Sequence, residues 1–224
     1  MIYESFLKEL RLHAETDFAK FQERLIFTSY KILGVRTPIL RKIAKKHLSD
    51  VQSLMSFPNE YYEVVFIKLC VVSMLQYEQF VSYLDECVGL IDNWALCDSF
   101  KPRYLQKNKR DFLKELEKLF KHGGEFYERF VLVLLLAYYI EQDYASLLKA
   151  YILKADKQKY YVHMAVAWLV AEILIKQPKL GEEILTARIL PSKTHNKAIQ
   201  KARESFRIDT IRKERLNTLK LKEE

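Results

Sequence analysis

Apolar residues recur at three- and four-residue spacing along almost the whole chain, and this periodicity limits most strongly what the chain can fold into. Such spacing places apolar side chains on one face of successive α-helices. Only five Gly and five Pro occur among 224 residues, whereas an all-β protein needs a tight turn about every ten residues. The sequence therefore predicts an all-α protein.

The same pattern divides the chain into roughly a dozen helices. One is predicted to run to Leu33, where Gly34 ends it, and the next to start at Thr37, a helix cap followed by Pro38. The apolar run Phe130 to Ile140 is about half as long as a bilayer requires, so it predicts a helix buried on all sides. The later predicted helices cover residues 77–91, 92–106, 110–121, 124–140, 142–154, 156–177, 179–189, 192–206 and 209–222.

Each predicted pair of helices spans about 35 to 45 residues, which is typical of helical-hairpin repeats. This spacing favours a curved α-solenoid, although composition alone does not separate it from an irregular helical domain. No linker divides the chain, so we expect one domain over residues 1–224. We expect it to comprise N-terminal helices (1–33), a repeat core (34–206) and a basic C-terminal helix (207–224).

The chain is basic, with 37 Lys and Arg against 29 Asp and Glu, a net charge of +8. Five cations and no acid occur from Arg36 through Lys46, beside the predicted helix start at Thr37. From Lys193 to Glu224 ten cations face five acids. A helix start among cations suits a phosphate group, so nucleic acid is the favoured partner and an acidic membrane the weaker alternative. A solvated helix face explains the C-terminal charges equally well.

Other patterns exclude several classes of protein. The chain has an odd number of cysteines, namely Cys70, Cys87 and Cys97. They form no C-x-x-C pair and have no His cluster nearby, so neither a disulfide framework nor a metal site is predicted. The charged N-terminal residues do not form a secretory signal. We therefore expect a cytoplasmic protein without a membrane span, and a monomer, because nothing in the sequence signals symmetry.

Three other places carry residues that composition does not explain. Trp94 and Asp98 lie four residues apart, so on a helix an aromatic plane and a carboxylate share one face. Arg129 precedes a wholly apolar run, and Trp168 lies late in an already apolar segment. Taken singly, each is more often a core or capping residue than a functional one.

Several segments of the chain together resemble the DNA alkylation repair family. The members of this family are AlkD-type DNA glycosylases with HEAT-like repeats. The order and spacing agree from about residue 18 to 206, and the Trp-x-x-x-Asp element is fairly specific. The matching segments are Gly34-Val35-Arg36-Thr37-Pro38, Asn93-Trp94-Ala95-Leu96-Cys97-Asp98-Ser99, the Arg129 helix, Ala165-Val166-Ala167-Trp168-Leu169-Val170-Ala171-Glu172 and Leu190-Pro191-Ser192-Lys193.

The resemblance implies a right-handed α-solenoid whose concave basic groove holds alkylated duplex DNA and whose chemistry is hydrolysis of the N-glycosidic bond of 3- and 7-alkylpurines. It implies that Asp98 is the catalytic carboxylate and that Trp94 and Trp168 line the lesion site. It also implies that Arg129 grips the DNA backbone. No metal or other cofactor is needed, because the alkylated purine is already a cationic leaving group. The remaining DNA-contact candidates are Arg36, Thr37, Arg41, Lys193 and Lys197.

The sequence departs from the family pattern at three places. Ala95 stands where the family commonly has Asp, and Ala171 stands where it commonly has Arg. Only about 17 residues precede the helix predicted from Phe18, so an N-terminal helix that helps to clamp DNA is expected to be shortened. These departures favour an alternative, a divergent HEAT-like scaffold without glycosylase activity or strong DNA binding that acts on another nucleic acid or a protein. A peptide-binding solenoid unrelated to DNA is a third hypothesis.

Overall fold

The computed structural model describes residues 2–222, which form 14 α-helices and no β-strand, so the predicted all-α class is confirmed. Glu223 and Glu224, the end of the predicted C-terminal helix, lie outside the described residues. The helices are α1 (Tyr3–Arg11), α2 (Thr16–Leu25), α3 (Thr37–Lys46), α4 (Val51–Met55), α5 (Tyr62–Met74), α6 (Tyr77–Gly89), α7 (Trp94–Ser99), α8 (Leu113–His122), α9 (Glu125–Tyr138), α10 (Ala145–Lys154), α11 (Tyr160–Lys176), α12 (Pro178–Thr186), α13 (Ser192–Glu204) and α14 (Thr210–Thr218).

The chain divides into two compact units, unit 1 (residues 1–112) and unit 2 (residues 113–224). Helices that follow one another in the chain pack together in each unit, as α5 and α6 do in unit 1 and α11 and α12 in unit 2. This is the contact pattern of helical repeats. The single-domain organisation and the right-handed solenoid with a concave basic groove remain predictions.

Helix α5 is the centre of unit 1. It packs against α3, α4, α6 and α7, and nearly all of its residues are buried. A helix that is apolar on all sides must be covered on all sides, which accounts for its position. Two charged side chains of α5, Glu63 and Lys68, are fully buried with it.

Helices α9 and α11 form the centre of unit 2, and α11 also contacts α12 and α13. Residues 130–135 of α9 are buried, which confirms the prediction that this apolar run is a core helix. Between residues 2 and 222, the structure contains no helix long and apolar enough to cross a bilayer. Helix α12 approaches α11 closely at Gly181, where a Cβ atom would lie 2.7 Å from the Leu174 Cα.

The segment that joins α2 to α3, residues 26–36, is not helical, although the apolar spacing predicts helix to Leu33. Its backbone instead bonds to distant parts of unit 1. The Lys31 N–H donates to the Glu60 carbonyl at 3.0 Å, and the Tyr62 N–H donates to the Lys31 carbonyl at 2.9 Å. These partners replace intrahelical hydrogen bonds, and a local periodicity cannot reveal them.

The end of this segment is held by one buried carboxylate. Glu63 accepts hydrogen bonds from the backbone N–H groups of Leu33, Gly34 and Val35, at 2.8 Å for Gly34. Burial raises the pKa of Glu63, while these N–H donors lower it. The carboxylate thus satisfies three backbone donors that would otherwise have no partner in the core.

We expect replacement of Gly34 by Ala to lower the free energy of unfolding by about 3 kcal/mol. Gly34 has φ +84°, and an added Cβ would lie 2.3 Å from the Glu15 carbonyl oxygen and 2.7 Å from the Ala19 nitrogen. Gly123→Ala is the matched control, since Gly123 has φ +76° and its nearest atom would be 4.0 Å away. Urea unfolding of both variants measures the difference. Equal losses would show that the close backbone approach at Gly34 carries no cost.

The predicted helix 92–106 is much shorter in the structure. Helix α7 ends at Ser99, and only a single 3₁₀ turn, Leu105–Lys107, follows. Pro102 lacks an N–H and disfavours helical geometry in the residue before it, which explains the break. Arg103 then donates its N–H to the Ser73 carbonyl of α5 at 2.7 Å.

Candidate nucleic-acid interface

Asn93 determines where α7 begins. Its side-chain oxygen accepts hydrogen bonds from the backbone N–H groups of Ala95 and Leu96, both at 3.0 Å. Such a cap satisfies donors that have no partner in the first turn. Because Asn93 is fully buried, the start of this short helix is tied to the core of unit 1.

Trp94 and Asp98 occupy one helical face at the edge of this cap. Trp94 is 38% exposed, and its indole N–H donates to the Leu25 carbonyl at 3.2 Å. Asp98 is half-buried one turn later. Residues four apart on a helix are neighbours, so the structure brings the predicted aromatic ring and carboxylate to the same face.

Asp92 ties the segment after α2 to the start of α7. Its carboxylate accepts hydrogen bonds from the Thr28 hydroxyl at 2.9 Å and from the Ser29 N–H and hydroxyl at 2.7 and 2.8 Å. It also accepts one from the Asn93 side chain at 2.7 Å. Asp92 and Asn93 therefore form a chain of hydrogen bonds that ends at the helix carrying Trp94.

We expect Asn93→Ala to lower the free energy of unfolding by about 1–2 kcal/mol, because two backbone donors lose their acceptor. Asn93→Ser, which keeps a capping oxygen, should lose less. Urea unfolding of both variants measures the effect. If the two variants are equally stable, the capping oxygen is not what holds α7 in place.

The predicted phosphate site at the start of α3 has less available charge than the sequence indicates. Helix α3 begins at Thr37, so its N-cap residue is Arg36 and not Thr37. The Arg36 carbonyl accepts the first hydrogen bonds of the helix, and no side chain in the described part of the chain caps it. Arg36 forms a bidentate ion pair with Glu15, at 2.8 to 3.2 Å. Lys46, at the other end, pairs with Glu9 at 2.8 Å.

Thr37 and Arg41 differ in accessibility. Thr37 is half-buried and Arg41 is exposed on α3. The Glu15 carboxylate raises the pKa of Arg36, whose charge is therefore engaged within unit 1. Of the predicted DNA-contact residues Arg36, Thr37 and Arg41, Arg41 is therefore the cation best placed to contact an anion from solvent.

Arg129 lies inside unit 2 with only 6% of its surface exposed. Its guanidinium donates to the Tyr161 carbonyl at 3.0 Å and lies 5.8 Å from the Tyr161 ring centroid. These contacts join the second turn of α9 to the first turn of α11. The resemblance implies that Arg129 grips the DNA backbone, whereas the structure shows a guanidinium largely covered by its own unit.

The neighbouring Glu128 serves the same junction. It is buried, accepts the Asp156 N–H at 2.8 Å, and pairs with Lys159 at 2.8 Å. The Lys159 ammonium also donates to the Gly123 carbonyl at 2.6 Å. Glu128 thus orders the loop before α11, and its charge is balanced within unit 2.

Trp168 lines an open cleft of about 290 Å³ on α11 in unit 2. The indole is half-buried. Lys201 and Arg207 bring positive charge to the same cleft, and Arg207 forms a bidentate ion pair with Glu172. The other lining residues are Ala171, Ile175, Glu204 and Ser205.

Cations also form a row along α13. Lys193 is exposed and Lys197 is half-buried, and Lys201 follows four residues later. On a helix this spacing places them on one face with a rise of about 6 Å between neighbours. Burial, and then the three ammonium groups, lower the pKa of His163. Its Nδ1 lies 2.8 Å from the hydroxyl of Thr194 on α13.

Unit 2 is expected to lose stability as the pH falls below about 6.5, the ordinary His pKa. The pKa of His163 is lowered in the folded protein, so the unfolded chain binds the proton first and acid favours unfolding. His163→Asn should reduce this loss. Urea unfolding at pH 8 and pH 5.5 tests it, and an unchanged pH dependence in the variant would contradict it. The pKa of His195 is lowered too, so part of the loss should remain.

Residues 2–222 contain no group of three or more His, Cys, Asp or Glu side chains arranged to hold a metal ion. Sequence reasoning missed Asp92, Lys201 and Arg207. Arg207 lies in the basic C-terminal stretch, but acids interleaved there hid its significance. Asp92 has no local signal, because its partners Thr28 and Ser29 are more than 60 residues away.

A family model described as "DNA alkylation repair enzyme" matches residues 6–206, most of the chain. This range includes Trp94 and Asp98 of unit 1 and Arg129 and Trp168 of unit 2. No curated protein matches the chain.

Proposed function

Because the chain belongs to the DNA alkylation repair enzyme family, we propose that it hydrolyses the N-glycosidic bond of 3- and 7-alkylpurines in duplex DNA. The observation that carries the proposal is the capped helix α7, which carries the exposed Trp94 and, one turn later, the half-buried Asp98. The proposal includes a cytoplasmic monomer that needs no metal or other cofactor.

Asp98 suits the developing charge of this reaction. When the bond between C1′ and the purine nitrogen breaks, its electron pair neutralises the cationic base, and positive charge develops on the deoxyribose. A carboxylate beside the sugar stabilises that charge and orients a water molecule. The water oxygen bonds to C1′, and its proton passes to Asp98 or to solvent.

Trp94 and Trp168 supply aromatic faces for a cationic nucleotide. An exposed indole attracts a cation by roughly 0.5–2 kcal/mol. The exposed Trp94 and the half-buried Trp168, which lines an open cleft, support this assignment within each unit.

The phosphate contacts are assigned to cations that point into solvent. Arg41 and Lys193 are exposed, and Lys197 is half-buried. Arg36 contributes only if DNA displaces Glu15, and Arg129 only through its small exposed surface. Ala171 lacks the arginine common in the family, and Arg207, whose guanidinium pairs with Glu172, contributes charge to the Trp168 cleft only if DNA displaces that carboxylate.

Incubation of the protein with methylated duplex DNA tests the proposal. We expect release of 7-methylguanine and 3-methyladenine above the spontaneous rate, quantified by mass spectrometry. Release no faster than in protein-free DNA at high protein concentration would contradict it.

A second candidate function is binding without hydrolysis, as a divergent scaffold. Three observations favour it, namely the buried Arg129, the Arg36–Glu15 ion pair and Ala171. DNA affinity separates the candidates. A glycosylase should bind duplex DNA at nanomolar to low-micromolar Kd with strong salt dependence, whereas negligible binding at low salt would favour another partner.

A further inference from the structure

Phe27 is an exposed aromatic residue with no packing role in unit 1. It is 82% exposed, whereas the preceding Ile26 is buried and Leu25 before it is 51% exposed. Ile26 has extended backbone angles, which send the side chain that follows to the opposite side. Burial of the Phe27 ring therefore contributes little to the free energy of folding.

The backbone around Phe27 is nevertheless held on both sides. Two residues before it, the Leu25 carbonyl accepts the Trp94 indole N–H at 3.2 Å. Directly after it, Thr28 and Ser29 bond to the Asp92 carboxylate at 2.7 to 2.9 Å. The ring is thus presented on a fixed loop beside the start of α7.

We propose that Phe27 contacts a nucleobase of the DNA that lies at Trp94, as a second aromatic residue of unit 1. The inference depends on the proposed function, because it takes alkylated duplex DNA as the ligand. A flat ring held in solvent can stack on a base or enter a base step, and both contacts use apolar area that water otherwise covers.

The size of the patch favours a base over a protein. Leu25, Phe27 and Trp94 are large exposed apolar side chains at this place, and Phe21, 48% exposed, lies one turn before Leu25 on α2. A stable protein interface buries about 800 Å² on each partner, which is more than these few side chains supply. A single nucleobase matches them better.

Fluorescence anisotropy with a labelled duplex containing 7-methylguanine tests the inference, using wild type, Phe27→Ser, Phe27→Tyr and Leu12→Ser. Leu12 is the matched control, since it is 76% exposed in the same unit. We expect Phe27→Ser to raise Kd roughly 5- to 100-fold. Phe27→Tyr, which keeps an aromatic ring, and Leu12→Ser should both bind the duplex with the wild-type Kd.

Salt dependence distinguishes a ring contact from lost charge. The slope of log Kd against log salt should be the same in wild type and Phe27→Ser, because no phosphate contact is removed. If wild type binds and Phe27→Ser matches Leu12→Ser, the inference is overturned while the proposed function stands. If wild type does not bind DNA, both are overturned.

Discussion

Replacement of Asp98 by Asn is expected to lower the rate of 7-methylguanine release by about 10²- to 10³-fold. The amide is nearly isosteric but carries no negative charge, so it cannot stabilise the oxocarbenium character of the deoxyribose. Single-turnover release from methylated duplex DNA, with protein in excess, measures the effect.

Two comparisons separate this effect from folding or binding. The Kd of Asp98→Asn for DNA should be unchanged or lower, because removing a carboxylate reduces repulsion of phosphate. The control Asp111→Asn replaces an exposed acid of the same unit and should release base at the wild-type rate. Equal rates for the two variants would mean that Asp98 is not the catalytic carboxylate.

Replacement of Lys68 by Met is expected to lower the free energy of unfolding by about 3 kcal/mol. The Lys68 ammonium is fully buried and donates to the Met55 and Phe57 carbonyls at 3.0 and 2.6 Å and to the Asn59 side chain at 2.7 Å. Met leaves these acceptors without a donor in the core.

Lys42→Met is the control for this prediction, because Lys42 is exposed on α3. It should change stability by less than about 0.5 kcal/mol. Urea unfolding of both variants measures their free energies of unfolding. A Lys68→Met variant as stable as Lys42→Met would show that the loop before α5 does not depend on the buried ammonium.

The helices with the strongest apolar signal were predictable from sequence. The run from Phe130 to Ile140 is hydrophobic on every side, and a helix of that kind is stable only when it is covered. The structure buries it in α9, which ends at Tyr138. The burial of this helix is predictable because the apolar character of the run belongs to its own residues and does not depend on partners elsewhere in the chain.

The segment 26–36 shows why other features could not be predicted. Its apolar spacing is helical, yet Glu63 and Asp92 supply acceptors from helices or loops about 30 and 60 residues away. Those interactions outweigh local propensity, which is worth less than about 1 kcal/mol per residue. They also position Phe27, which no sequence pattern had marked.

The candidate site shows the same division. Spacing alone places Trp94 and Asp98 on one face of a helix, and both residues lie in α7. For Arg129, the sequence gives only a cation before an apolar run. Its burial against Tyr161 depends on how α9 meets α11, which is a tertiary contact.

A crystal structure of the protein with duplex DNA that carries a non-hydrolysable analogue of 3-methyladenine tests the central claim most directly. We predict that the Asp98 carboxylate lies within about 4 Å of the lesion's deoxyribose C1′ and that the Trp94 indole contacts the same nucleotide. DNA bound elsewhere, or an Asp98 carboxylate with no contact to the sugar, would contradict the assignment.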